Sequence, residues 1–198
     1  MTWKEFLEKI RRLMEKLTNS HNEEPQEPQQ PAVDPNRKTN IGLVDYITKQ
    51  LGRPYWYGTF GQKATEHLYD QKRRQYPSYY TATDFASQYG EKVHDCIGLL
   101  KGYMWTSDAD STSCSYQSNG MKDLSADMFY NHCKRKSTVM ADMPEILGIA
   151  VFMKGHVGYY VGNGEVIEAR GHKYGVVKTK LSERAWKRWA YIEEIEYV

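Results

Sequence analysis

The chain has 198 residues, 40% of them hydrophobic and 26% charged, with 27 Lys and Arg against 25 Asp and Glu. That length holds one good core but is short for two full domains, and a net charge of +2 is too mild to argue for nucleic acid as a partner. Three cysteines, Cys96, Cys114 and Cys133, are too few and odd in number for a disulfide scaffold. The chain has no CxxC pair, no HExxH and no calcium-loop pattern, so neither a metal nor an organic cofactor is expected.

Taken in chain order, residues 1–18 read as a short amphipathic helix. Thr2 is its cap and Glu5 follows three residues later, as in a capping box. Trp3, Phe6, Ile10, Leu13 and Leu17 recur at 3, 4, 3 and 4 residues, a heptad stripe that needs a surface to bury against. Its own domain, a partner or second copy, and a membrane surface are all open. No continuous apolar stretch marks a signal peptide or a transmembrane span, so synthesis in the cytoplasm is expected. Residues 19–40 are rich in Pro, Gln and Glu and nearly free of apolar side chains. Such a segment buries too little to offset its ordering entropy and reads as a disordered linker.

The domain proper is expected over 41–198. Ile41, Val44, Ile47 and Leu51 follow helical spacing up to Gly52, a plausible residue just past the helix end. Residues 54–60 are aromatic, and 61–93 are polar, basic and Tyr-rich without a clear period. Within that stretch Lys72-Arg73-Arg74 reads as a solvated face, as does Lys134-Arg135-Lys136 further on. A helix is expected from Cys96 through Leu99, Leu100 and Met104, then a loop over 107–121, then a helix from Leu124 to Cys133 with Ser125 as cap. Strands are expected at 149–153, 156–161, 165–169, 176–180 and 191–198, with Gly162-Asn163-Gly164 turning one into the next. Helices followed by adjacent strands indicate an α+β domain with an antiparallel sheet.

Three residues form a candidate catalytic set. A cysteine nucleophile works as thiolate, and a helix N-terminus favours that form. Cys96 opens the apolar run Ile97-Gly98-Leu99-Leu100, where Gly98 lets another segment approach closely. His156 heads a strand, a rigid position from which an imidazole can face the Cys helix. Glu168 lies on the strand folded back by the Gly162–Gly164 turn and can orient that imidazole through its second nitrogen. A carboxylate in an otherwise apolar strand needs a partner. His172, just past Gly171, competes with it for the third place.

The order Asp95-Cys96-x-Gly98-Leu99, then His156-Val157-Gly158-x-Tyr160-x-Gly162-Asn163-Gly164, then a polar residue on the following strand, resembles the NlpC-type cell-wall peptidases. The resemblance covers roughly residues 41–198. It implies a papain-like α+β fold and hydrolysis of a peptidoglycan stem-peptide bond, by default next to D-isoglutamate. An N-acetylmuramoyl-L-alanine amidase is the neighbouring possibility, and a secreted thiol hydrolase or transferase acting on a protein or lipid is the more distant one. The family's recognition motif resembles Pro54-Tyr55-Trp56-Tyr57-Gly58-Thr59, which implies that Tyr55 and Asp95 contact the stem peptide. The layout also resembles phage and prophage endolysins, which reach the wall after lysis or by another non-classical route. The family's usual Ser after the Cys is Ile97 here, and its usual His, Asn or Gln third residue is Glu168. The chain between Tyr55 and Cys96 is longer than usual, so 61–93 is expected to be an insertion that walls the cleft and sets specificity.

Overall fold

The computed structural model describes residues 4–9, 11–12 and 37–198, and it divides into two units, 1–36 and 37–198. In the first unit residues 4–9 and 11–12 are helical (α1), with Phe6 and Leu7 partly exposed. Trp3, Ile10, Leu13 and Leu17 of the heptad stripe, and residues 19–36 of the linker, lie outside the described residues. Among the described residues no helix is long and apolar enough to cross a membrane.

The second unit begins with α2 (Asn40–Lys49), capped by the Thr39 side chain, which accepts from the Gly42 N–H. A two-stranded sheet follows, β1 (Phe60–Lys63) against β2 (Lys92–His94), with α3 (Glu66–Gln75) between them in sequence. Then come α4 (Gly98–Trp105) and α5 (Ala126–His132), the latter capped by Ser125 as the sequence indicates. The remaining strands, β3 (Lys136–Ser137), β4 (Ala150–Met153), β5 (His156–Gly162), β6 (Glu165–Ala169), β7 (Val176–Lys180) and β8 (Arg188–Ala190), form one sheet in the order β3-β8-β4-β5-β6-β7, every pair antiparallel. The α+β class with helices ahead of an antiparallel sheet is therefore the observed architecture.

One face of the sheet carries Ala150, Phe152, Val157, Tyr159, Ile167 and Ala169. They pack in one core with Leu43 and Ile47 of α2, Leu99, Leu100 and Met104 of α4, and Phe129 of α5. The opposite face carries Ile149, Val151, Tyr160 and Val166 under Trp186. The alternation along β5 and β6 is the period-two pattern legible in the sequence. The β5–β6 hairpin turns through Gly162, Asn163 and Gly164, all at positive φ, which Gly and Asn tolerate.

Three expectations are corrected. The helix after Cys96 starts at Gly98, with Cys96 and Ile97 in the turn before it. Asp95 caps this turn: its Oδ1 accepts from the Gly98 N–H at 2.6 Å and its carbonyl from the Leu99 N–H at 3.3 Å. The last strand is Arg188–Ala190 rather than 191–198, because Ala190 pairs with both Ala150 and Lys136 while the chain beyond it leaves the sheet. Lys72 is not part of a solvated face. It is only 8% exposed and shares the buried side of α3 with Leu68, one turn away.

The 61–93 segment has a small core of its own. Trp56, Ala64, Leu68, Tyr80, Phe85 and Val93 are buried together, with Tyr57, Tyr69 and Tyr76 against them. Edge-on ring contacts dominate, as between Trp56 and Phe85, whose centroids lie 5.4 Å apart.

Candidate functional site

Cys96, at the turn into α4, and Gly155, at the head of β5, both line a cleft of roughly 560 Å³. The Cys96 Sγ lies 4.0 Å from the Gly155 carbonyl oxygen and also interacts with the Val157 N–H. The thiol thus rests against the backbone on both sides of His156, without a hydrogen bond to the imidazole. The turn is held tightly. The Tyr159 hydroxyl donates to the Cys96 carbonyl at 3.5 Å, and the Cys96 N–H interacts with its own sulfur. Gly98 permits the packing: a Cβ there would come within 1.9 Å of the Thr59 carbonyl oxygen and 2.9 Å of Asp95 Oδ1. Gly98→Ala is therefore expected to cost about 1–3 kcal/mol of stability or more. Denaturant unfolding of the variant checks this, and an unchanged midpoint would mean that the Thr59 segment can move aside.

His156 and Glu168 fall on one face of the β5–β6 hairpin, since Tyr159 pairs with Ile167 and side chains alternate on each strand. Glu168 is fully buried and accepts four hydrogen bonds: from His156 Nε2 at 2.7 Å, from Thr179 Oγ1 at 2.8 Å, and from Arg184 Nε and Nη2 at 2.7 and 2.9 Å. Burial alone would raise its pKa. The bonds from His156, Arg184 and Thr179 outweigh burial and bring it from 4.5 down to about 2. An ionised carboxylate only accepts, so His156 Nε2 carries the proton toward Glu168, and Nδ1 is the basic nitrogen of the neutral ring. The Trp186 ring stacks over the imidazole, with centroids 5.7 Å apart and planes 13° from parallel. Gly158 leaves room for that ring, because a Cβ there would lie 2.9 Å from it.

His172 does not reach this group. Its Nε2 pairs with Asp84 at 2.6 Å and its ring lies on Phe85, tying the β6–β7 turn to the 61–93 segment. Thr179, Arg184 and Trp186 are functional neighbours that the sequence reading misses. A buried Glu demands a cation, but nothing in the spacing singles out Arg184 among the 27 basic residues.

Burial pushes the Cys96 thiol up to about 12, and the neighbouring Asp95 carboxylate adds to this, against weaker help from the Val157 and Ile97 N–H groups. The helix start was expected to favour thiolate, but at 6% exposure desolvation wins. The resting thiol is neutral. Chemistry at this sulfur would need a base to take its proton.

Asp95 is equally enclosed. Its Oδ1 accepts from Gly98 N–H and its Oδ2 from Gly58 N–H at 2.8 Å, while burial raises its pKa. Tyr55 lines the same cleft and is bridged through its backbone to His94. The opposite wall comes from the 61–93 segment: Lys72, Gln75, Tyr76 and Tyr79 all line the cleft, and Tyr79 stacks on Tyr57 with centroids 3.7 Å apart.

Neither a family model nor a curated protein matches this sequence. Among solved structures, NlpC2 from Trichomonas vaginalis is 18% identical with a TM-score of 0.47, over 81% of this chain and 48% of that one. The peptidoglycan hydrolase RipB from Mycobacterium tuberculosis is 21% identical with a TM-score of 0.45, over 80% of this chain and 67% of that one. The P60 domain of an antigen from M. avium subspecies paratuberculosis is also 21% identical with a TM-score of 0.45, over 80% of this chain and 98% of that one. This chain spans about half the length of the Trichomonas protein.

Proposed function

We propose that this chain is a cysteine peptidase of the NlpC type that hydrolyses a peptidoglycan stem-peptide amide through a Cys96 acyl-enzyme. The observation that carries the reading is the buried Glu168 carboxylate on His156 Nε2, which presents the imidazole with Nδ1 as base beside the strand backbone that touches the thiol. In this mechanism His156 Nδ1 takes the Cys96 proton as sulfur attacks the peptide carbonyl. The Cys96 N–H, at the entry to α4, donates to the developing oxyanion. The imidazolium, steadied by Glu168, then protonates the leaving amine, and His156 activates the water that releases the acid. Glu168 keeps the ring in one tautomer and does not itself take the proton. Tyr55 and Asp95 are read as stem-peptide contacts, Asp95 also holding the turn that presents Cys96. The bond next to D-isoglutamate is the preferred target, with action at the cell wall after release.

An amidase cutting between muramic acid and L-alanine would use the same residues, and only the product distinguishes the two. Digestion of purified peptidoglycan by the wild type and by Cys96→Ala, with mass spectrometry of the soluble products, tests the reading. Stem-peptide fragments from the wild type alone are expected, and their masses name the bond. Equal digestion by both proteins would remove Cys96 as nucleophile. No fragments from a folded wild type on several wall types would point to a protein or lipid substrate.

A further inference from the structure

The cleft holds five charged side chains, and four of them have partners. Asp123 accepts from Lys101 Nζ at 2.5 Å, Asp127 accepts from Arg188 Nη2 at 2.7 Å, and both Asp95 oxygens accept from backbone N–H groups. The fifth is Lys72. Among the described residues its ammonium makes no hydrogen bond and no ion pair, and it lies over the Tyr76 ring, 5.9 Å from the nitrogen to the centroid. Its stem is buried on α3 beside Leu68, while the ammonium is left to the water of the cleft, where a substrate group can take the place of that water. Its neighbour Lys101 instead pairs with Asp123, and Lys92 donates to the Ala109 and Ser111 carbonyls. Burial lowers the Lys72 ammonium from its ordinary value, and the Asp95 and Asp123 charges offset this in part. The charge is thus held in the cleft without being consumed there.

We propose that Lys72 is a specificity residue that pairs with a free carboxylate on the substrate, next to the bond that is cut. The inference rests on the stem-peptide reading above. In that chemistry a γ-linked D-glutamyl residue carries a free α-carboxylate beside the scissile amide, and amidation turns that group into a neutral carboxamide. Lys72 belongs to the 61–93 segment, so that segment gives the cleft its preference for the acid form. Tyr57 and Tyr79 provide a stacked aromatic wall beside it. A charge-assisted bond to this unpaired ammonium favours the carboxylate over the carboxamide by roughly ten- to a hundredfold.

The test uses two synthetic γ-D-glutamyl stem peptides that differ only in carboxylate against carboxamide. The wild type is expected to cleave the carboxylate form with a kcat/KM at least tenfold higher. Lys72→Met keeps the length and apolar stem, and it should bring the ratio near one by losing activity on the carboxylate form alone. Lys72→Arg should keep the preference. Far-UV circular dichroism and the melting temperature establish that both variants fold. Binding of the same two peptides to Cys96→Ala, with and without Lys72→Met, gives a readout that needs no turnover. If both forms are cleaved and bound equally, or if Lys72→Met keeps the preference, this inference fails and the proposed function stands. If neither form is cleaved but the Lys72-dependent binding difference persists, the proposed function fails and carboxylate recognition by Lys72 stands. If neither form is cleaved or bound differently, both fail.

Discussion

Cys96→Ala and His156→Ala, made separately, are each expected to lower the rate of stem-peptide hydrolysis by roughly 10⁴-fold or more, and the double variant by hardly more than either alone. The physical reason lies in the resting thiol. Burial holds it up to about 12, so it is protonated at neutral pH and attacks only if a base removes the proton in the same event. His156 without the sulfur has nothing to activate, and the sulfur without His156 has nowhere to send its proton. Initial rates on a soluble stem peptide check this, provided each variant gives the wild-type far-UV spectrum. Losses that multiply in the double variant would mean that the two side chains act independently. A His156→Ala protein retaining more than a few per cent of activity would move the base elsewhere.

Arg184→Met is expected to destabilise the fold by about 3–5 kcal/mol at pH 7, because it strips two hydrogen bonds and the guanidinium charge from a carboxylate with no exposure to water. The deficit should depend on pH with a definite sign. The Glu168 pKa in the folded chain is about 2, against 4.5 as the ordinary value, so its ionised form adds stability above pH 4.5 that is lost as pH falls from 4.5 through about 2. That difference corresponds to roughly 3 kcal/mol. Below pH 4.5 the unfolded chain, and the variant without its guanidinium, take up the Glu168 proton while the folded wild type keeps it ionised, so the gap between wild type and Arg184→Met should narrow as the pH is lowered toward 3. Urea unfolding of both proteins at pH 7 and pH 3.5 measures it. A gap below 1 kcal/mol at pH 7, or one unchanged at pH 3.5, would mean that Thr179 and His156 suffice to hold the carboxylate. Catalysis should suffer too, since Glu168 would lose the contact that fixes it under His156.

The sheet was legible because its signal is local. From Ile149 to Lys180 apolar residues alternate or run in short blocks between glycines, and four strands fall within a residue or two of the expected bounds. The α5 cap at Ser125 and the tight approach at Gly98 were legible for the same reason, one side chain and its immediate neighbours sufficing. The 61–93 segment was not. Its helix, Glu66–Gln75, has almost no apolar face. Its buried side is Leu68 and Lys72, so a search for apolar spacing finds one residue where it needs several. Its stability comes from rings distant in sequence, such as Trp56 on Phe85 and Tyr57 on Tyr79, which no local window contains.

Spacing along the chain was enough for the α+β class, for the strand with His156 at its head and Glu168 on its hairpin partner, and for an apolar helix beside Cys96, though not for the turn that Cys96 occupies. Each follows from spacing within a dozen residues, where backbone period and turn chemistry leave few alternatives. Only the tertiary structure decided which cation holds Glu168, where His172 goes, how far burial raises the Cys96 thiol, and that Lys72 faces the cleft instead of the solvent. Charge placement and desolvation depend on which distant segments meet, and those meetings are set by the packing of the whole domain rather than by any local pattern.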